Sequence, residues 1–487
     1  MKSGMRRGLL SGVCLIFVLV LSGCGREDYS KLLDRNSPVT ITVWHYYNGI
    51  QQTQFDEMVE EFNNTVGSEQ GIIVEAYSKN SVGELSDNVL ASVNNDPGAD
   101  ERPNIFGTYA ETAYQIDKMD MLVDLNKYLT EEEIAEYVEP YILEGSLGEE
   151  DTLKIFPTAK STEIMILNLT DWRKFAEESG ATYGDLSTWE GLVAVSEKYY
   201  DYTDGLTPDV ANDGKAFFGR DAVANYMIVG AKQLGHEFAA QSEDGTVTVT
   251  LDKETVRKLW DHFYVPYVKG YFTAESRFRS DDAKIGSIIG LIGSTTGATY
   301  YPSEVTINDE YTYPIENVVL PVPNFEGCDP YVVQQGAGMS VLKSDEKTEY
   351  ACVVFLKWFT EEERNIRFSV KSGYLPVKKE ANNFEAITSV HGDSQISGMM
   401  QNTFRIAIDE INTYELYTSP PFDQSVTVRD YLGDTMENTA KEAHAAAQAR
   451  IAAGEDRDIV WNEYTDDTAF EKWYTEFETG YEEIVGE

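Results

Sequence analysis

Polar and apolar positions along this chain switch between two periods. Val39, Ile41 and Val43 alternate with Thr40 and Thr42, the two-residue period of a strand. Phe55, Met58, Val59 and Phe62 then fall at i, i+3, i+4 and i+7, one apolar face of a helix. Ile72-Ile73-Val74 predicts a second short strand and Asn104-Ile105-Phe106 a third, with helical pattern before and after it. Strand, helix, strand, helix, strand predicts parallel pairing in an open α/β sheet covered on both faces. Thr130 with Glu133, Ser187 with Glu190 and Thr360 with Glu363 have capping-box spacing and predict helix starts. The run Tyr350 to Phe359 predicts a buried helix enclosing Cys352. Phe470, Trp473, Tyr474, Phe477 and Tyr481 form a stripe on a last helix that should dock on the core.

Neither period holds at the N-terminus. Lys2, Arg6 and Arg7 precede an apolar run from about Gly8 to Leu21, which closes on Leu21-Ser22-Gly23-Cys24. A basic head, a short apolar run and small residues describe an export signal. The run is shorter than the roughly 20 residues a membrane-spanning helix needs. A Cys directly after Leu-Ser-Gly resembles the bacterial lipobox. That resemblance implies a signal over residues 1–23, a diacylglycerol on Cys24 and a polar spacer over residues 24–37. The implied place is the extracytoplasmic face of the cell membrane. Two or more acyl chains would hold the protein there, where one alone is marginal.

The 487 residues are enough for two lobes with large cores. Loss of three basic residues with the signal takes the net charge from −44 to −47. Such a charge repels nucleic acid and anionic lipid surfaces, so no nucleic-acid partner is expected. With 42% hydrophobic residues and 12% aromatic ones, the chain is too apolar for a disordered acidic tail. Only Cys328 and Cys352 remain after Cys24, which is no disulfide framework. No Cys/His cluster has zinc spacing. Thr207 to Gly214 opens like a calcium loop. Counting from Asp209, however, Ala211 and Arg220 stand where oxygen ligands belong, so an ordinary Asp-Gly turn is expected. No metal or cofactor is expected.

In open α/β sheets, ligands bind beyond the carboxyl ends of the strands. That directs attention to Trp44-His45-Tyr46-Tyr47-Asn48-Gly49 and to Gly107-Thr108-Tyr109-Ala110-Glu111. Trp44, Tyr46, Tyr109 and Glu111 are the candidates. Sugars and polyols need this mixture: rings to stack on C–H faces, and fixed donors and acceptors for hydroxyls.

The ordered motifs resemble the extracellular solute-binding proteins of ABC importers, the family with maltose-type and glycerol-3-phosphate-type members. They run from Ile41-Thr42-Val43-Trp44-His45, through Pro103-Asn104-Ile105-Phe106 and Phe156-Pro157, to Ser187-Thr188-Trp189-Glu190-Gly191. Gly290 to Gly297, Leu320-Pro321-Val322-Pro323, Gly336-Ala337-Gly338 and Ser372-Gly373-Tyr374-Leu375-Pro376 complete the order. The resemblance implies a two-lobed, periplasmic-binding-protein-like α/β fold, each lobe a mixed, mostly parallel sheet flanked by helices. It places residues 38–155 and 322–362 in one lobe and residues 156–321 and 363–487 in the other. It implies a monomeric clamp that closes on a small solute and docks on ABC permease subunits, with no catalytic residue.

Within the family, the motifs are most similar to the glycerol-3-phosphate branch. This resemblance adds Ser161, Thr162, Ser294, Thr295, Gly336 and Tyr374 as cleft residues. Arg429 falls where the branch holds phosphate, and a guanidinium suits bidentate phosphate contact. An ion pair of Arg429 with Asp430 is the alternative. Trp189 is a ligand-stacking candidate, with packing at a helix start as its alternative. The branch's acidic position falls on Ala110, one residue before Glu111, and its first-lobe Tyr falls near Ser81. The expected ligand is therefore a neutral carbohydrate or polyol, with glycerol-3-phosphate or a glycerophosphodiester as the alternative. An exported glycoside hydrolase, which needs two carboxylates at a set separation, and a surface sensor or adhesin are the readings from other classes.

Overall fold

The structure, a computed structural model, describes residues 27–148, 152–242, 245–391 and 396–486. The expected export signal and Cys24 lie outside the described residues. The first lobe opens with β1 (Val39–His45), α1 (Gly49–Phe62), β2 (Ile72–Ser78), α2 (Val82–Asn94), β3 (Ile105–Thr108) and α3 (Ala110–Asp117). The chain then crosses and forms β4 (Glu163–Asn168), β5 (Phe218–Arg220), α4 (Val223–Gln233), β6 (Gly290–Ser294), β7 (Asn317–Leu320) and β8 (Tyr331–Val333). It returns through β9 (Gly338–Val341), α5 (Glu346–Phe359) and α6 (Glu362–Ser372). It ends with α7 (Gly398–Thr413), β10 (Glu415–Tyr417), α8 (Ser425–Ala452) and α9 (Asp467–Gly486), among shorter elements.

The first sheet has the order β9-β3-β1-β2. β1 pairs in parallel with β2 and β3, as the strand–helix alternation predicts, and β9 closes the edge antiparallel to β3. The second sheet has the order β7-β4-β6-β5. Only β6 with β5 is parallel there; β4 runs antiparallel to both β6 and β7. Both sheets are mixed, but the expected parallel majority holds in the first alone. β4 follows the crossing from the first lobe rather than a crossover helix, so no βαβ unit sets its direction.

Apolar burial explains the elements. Phe55, Met58, Val59 and Phe62 are all buried, in one cluster with Ile41, Val43 and the α5 residues Phe355 and Phe359. Cys352 is fully buried there and Cys328 is half-buried; both are free thiols. All five stripe residues of α9 are buried in the core of the second lobe. Val322, Phe325 and Val332 also belong to that core, although residues 322–333 were expected in the first lobe. β8 pairs with β10, which draws this segment into the second lobe before the chain returns at β9. α6 and the turn after it serve both lobes: Phe368, Tyr374 and Val377 pack in the first, Ile366 and Leu375 in the second.

The three expected caps differ in outcome. Thr130 and Glu133 form both bonds of a capping box, at 3.1 and 2.8 Å. At the next site the cap is Thr188, one residue beyond Ser187, because the Thr188 hydroxyl accepts from Gly191 N at 3.1 Å. Thr360 starts no helix. α5 runs on to Phe359, and the Thr360 backbone and hydroxyl both bond back to Leu356 O.

His45 is an unusual core residue. It is 1% exposed beside Tyr47 and Phe55, and neither ring nitrogen has a partner. Burial holds its pKa down to about 4. The unfolded chain takes up a proton near pH 6.5 while the folded one does not, so stability falls as pH drops from 6.5 toward 4. His45→Phe should remove this loss. Urea midpoints at pH 5 and pH 7 should show the variant gaining on the parent at the lower pH.

Candidate functional site

Three segments run side by side where the lobes join. Phe156 bridges Met339, Ser161 bridges Gln335 and Lys160 bridges Leu375. Lys160 is only 2% exposed; Glu144, on the helix Glu139–Gly145, holds its ammonium, which also donates to Gly336 O at 2.7 Å. Gln334 Nε2 donates to the same Glu144 carboxylate at 2.5 Å. Gly336 has φ 91°, and a Cβ there would sit 2.8 Å from Ala159 O, so the packing admits glycine alone. Its N–H donates to Tyr109 Oη at 3.3 Å. The Thr162 hydroxyl is spent on Val333 O at 2.9 Å. Ser161, Thr162, Gly336 and Tyr109 thus meet at this seam.

Tyr46 and Tyr374 join hydroxyl to hydroxyl at 3.0 Å beside them, and Tyr374 stacks on Phe368 at 11°. Burial pushes the Tyr46, Tyr109 and Tyr374 phenols far up, so all three stay protonated. Glu111 lies in the first turn of α3, half-buried. Burial raises its carboxyl, and the Arg429 charge on α8 opposes that shift. Arg429 Nη2 donates to Asn225 Oδ1 at 2.5 Å. No carboxylate among the described residues lies within 4.0 Å of the guanidinium, so the ion pair with Asp430 is not formed. Asn225 in turn donates to Glu163 Oε1 at 2.8 Å, and Glu163 Oε2 accepts from Arg220 at 2.7 Å. A polar chain therefore links α8, α4 and β4.

A cleft of about 810 Å³ opens between the lobes. Asn48 and Gln51 line it from the first lobe, Asp221, Phe278, Ser294 and Tyr300 from the second, and Gln335 from the crossing. Phe278 is 53% exposed and Tyr300 56%, so both rings are largely open to solvent. Ser294 Oγ lies 2.8 Å from Thr296 Oγ1 and accepts from Gly297 N at 3.0 Å. Thr295 is buried, bonded through its N–H to Thr162 O at 2.9 Å, and its hydroxyl has no partner. Asp221 follows β5, before Ala222 at φ 48°, the left-handed corner from which α4 starts. Asp221 Oδ1 accepts from Arg279 N at 3.1 Å.

Burial pushes the Asp221 carboxyl up to about 6. The folded chain then holds a proton that the unfolded chain releases near pH 4, so this residue favours folding less as pH rises from 4 to 6. Asp221→Asn should flatten that fall, read as urea midpoints across the window.

The structure does not bring Trp44 or Trp189 to the cleft. Trp44 is 4% exposed in the first lobe, with Lys79 Nζ 4.0 Å over its ring. Trp189 is 3% exposed, edge-on to Tyr226 at 4.6 Å in the second core. Each indole packs in the core of its own lobe instead. Lys160, beside Ser161 at the crossing, is committed to Glu144. Asp221, Phe278 and Tyr300 escape sequence reasoning, since they are single residues at a bend, before a helix start and at the end of a short 3-10 turn, where no periodicity marks them. Asn48 and Gln51 fall in or just after the loop already singled out behind β1.

The profile of the bacterial extracellular solute-binding proteins matches residues 57–391. No curated protein sequence matches. Among solved structures, the chain is similar to an ABC substrate-binding protein of Listeria monocytogenes in complex with cycloalternan (16% identity, 92% of this chain and 100% of that one, TM-score 0.65). It is also similar to the cyclic alpha-maltosyl-1,6-maltose binding protein of Arthrobacter globiformis (17%, 88% and 100%, 0.64). A third is UgpB of Mycobacterium tuberculosis in complex with glycerophosphocholine (15%, 87% and 100%, 0.63). At these identities the likeness is one of fold, and the fold is the two-lobed one that the resemblance implies. With the profile spanning well over half its length, the chain belongs to the bacterial extracellular solute-binding proteins.

Proposed function

We propose that the protein captures a neutral carbohydrate or polyol between its lobes and hands it to an ABC permease, anchored in the membrane through a lipid on Cys24. The observation that carries the reading is the composition of the cleft. Two open rings, Phe278 and Tyr300, stand with Asn48, Gln51 and Asp221 around about 810 Å³. That volume is in the range of small-molecule sites, and rings with fixed polar groups match sugar C–H faces and hydroxyls. The cyclic alpha-maltosyl-1,6-maltose binding protein and the cycloalternan complex, both similar in fold, support the same class. Solute bridging both lobes makes contacts available only when they are closed, and so shifts the clamp toward closure.

A second reading, glycerol-3-phosphate or a glycerophosphodiester, rests on Arg429, whose guanidinium forms no salt bridge among the described residues and bonds Asn225. The complex of UgpB with glycerophosphocholine supports it. Calorimetric titration with maltose- and cello-type oligosaccharides, monosaccharides, polyols and glycerol phosphates tests both readings. Release of shorter sugars during incubation would instead make the protein a hydrolase. If a solute hydroxyl donates to Asp221, affinity should decline as pH falls below about 6, where the carboxyl takes its proton. Loss of membrane association in Cys24→Ala tests the anchor.

A further inference from the structure

One ion pair joins the end of a first-lobe helix to the turn that leads into a second-lobe helix. α3 belongs to the first lobe and is capped by Lys118; α8 starts at Ser425 in the second. Lys118 Nζ lies 2.5 Å from Asp423 Oδ1. Neither residue lies in a segment linking the lobes. The other ion pairs among the described residues stay within one lobe or involve a crossing segment, α6 or the turn after it. On the same two elements, Glu111 at the start of α3 feels the charge of Arg429 on α8. Lys118 stands at the C-terminal end of α3 and Asp423 just before the N-terminal end of α8, so each charge also suits the dipole of the helix beside it.

We infer that Lys118 and Asp423 form a latch that holds the lobes together while the cleft is empty. This rests on the clamp of the proposed function but not on the identity of the solute. Each side chain is about half exposed (51% and 57%), so the pair is weak by itself. A clamp whose open and closed forms are nearly balanced needs only a weak bias to shift severalfold. Salt should loosen the latch, because exposed charges are screened.

Small-angle X-ray scattering of the ligand-free protein tests it. Lys118→Glu and Asp423→Lys should each lower the closed-to-open ratio about fivefold, the size of an exposed pair lost, and raise the radius of gyration. The double reversal should restore the parent value, and about 0.5 M NaCl should move the parent toward the single variants. Thermal melts establish that each variant is folded. Should a reversal not fold, Lys118→Gln and Asp423→Asn give the same reading with a smaller shift. Single variants that scatter like the parent, or a double variant as open as the singles, would overturn the latch. Since no solute is added, such a failure leaves the capture of a sugar standing. Failure of every sugar to bind leaves the scattering result standing.

Discussion

Replacing Glu144 with Ala should cost about 3–5 kcal/mol of unfolding free energy, the usual loss when one partner of a buried ion pair is removed. Lys160 and Glu144 have side-chain exposures of 2% and 8%. Without the carboxylate, the Lys160 ammonium keeps Gly336 O but stays buried with its charge unopposed. Gln334 loses this acceptor and keeps Pro140 O alone. Glu144→Gln should cost less, since an amide oxygen still accepts from Gln334. Glu144→Leu with Lys160→Met should recover most of the loss, because two apolar groups replace a pair whose desolvation offsets its attraction. Urea unfolding at constant slope measures all three. A cost under about 1 kcal/mol for Glu144→Ala would mean that water reaches Lys160, as at an exposed pair. Lys160 bridges Leu375 and bonds Gly336, so the damage falls on the segments that join the lobes.

Removing both open rings of the cleft should weaken solute binding more than any other change on its surface. Aromatic anchors in a binding site are worth about 2 kcal/mol or more each, roughly thirtyfold in affinity. Tyr300→Ala and Phe278→Ala should each approach that loss, and the double variant should bind too weakly to titrate. Both rings are more than half exposed, so the melting temperature should hardly move. Calorimetry with the solute that the parent binds reads the effect. Unchanged affinity in the double variant would place the solute elsewhere in the seam, next to Tyr109 and Arg429.

Much of the fold is legible in the sequence because burial imposes a period. The α1 face and the α9 stripe are buried residue for residue. Caps read less well, since a hydroxyl three residues before an acid is only one way to satisfy a helix end. Thr188 takes the place of Ser187, and Thr360 bonds backward to a helix that had not yet ended. The crossing was legible as short motifs, because its backbone tolerates few residues: Gly336 has no room for a side chain. The cleft was not. It pairs Asn48 and Gln51 with Tyr300, some 250 positions away, and only the packing of two lobes brings them together. Trp44 and Trp189 were drawn toward the ligand by motif order, yet strand and helix direct both indoles into the cores.

A neutral carbohydrate is the solute expected in the cleft. A thermal-shift screen of neutral oligosaccharides, monosaccharides, polyols, glycerol-3-phosphate and its diesters tests it most directly, run on the parent, Tyr300→Ala and Arg429→Ala. A ligand at 100 times its dissociation constant adds about 2.7 kcal/mol of apparent stability, which the screen resolves. A neutral sugar or polyol should give a shift that survives Arg429→Ala and is lost in Tyr300→Ala. A shift with glycerol phosphates alone, abolished by Arg429→Ala, would contradict it.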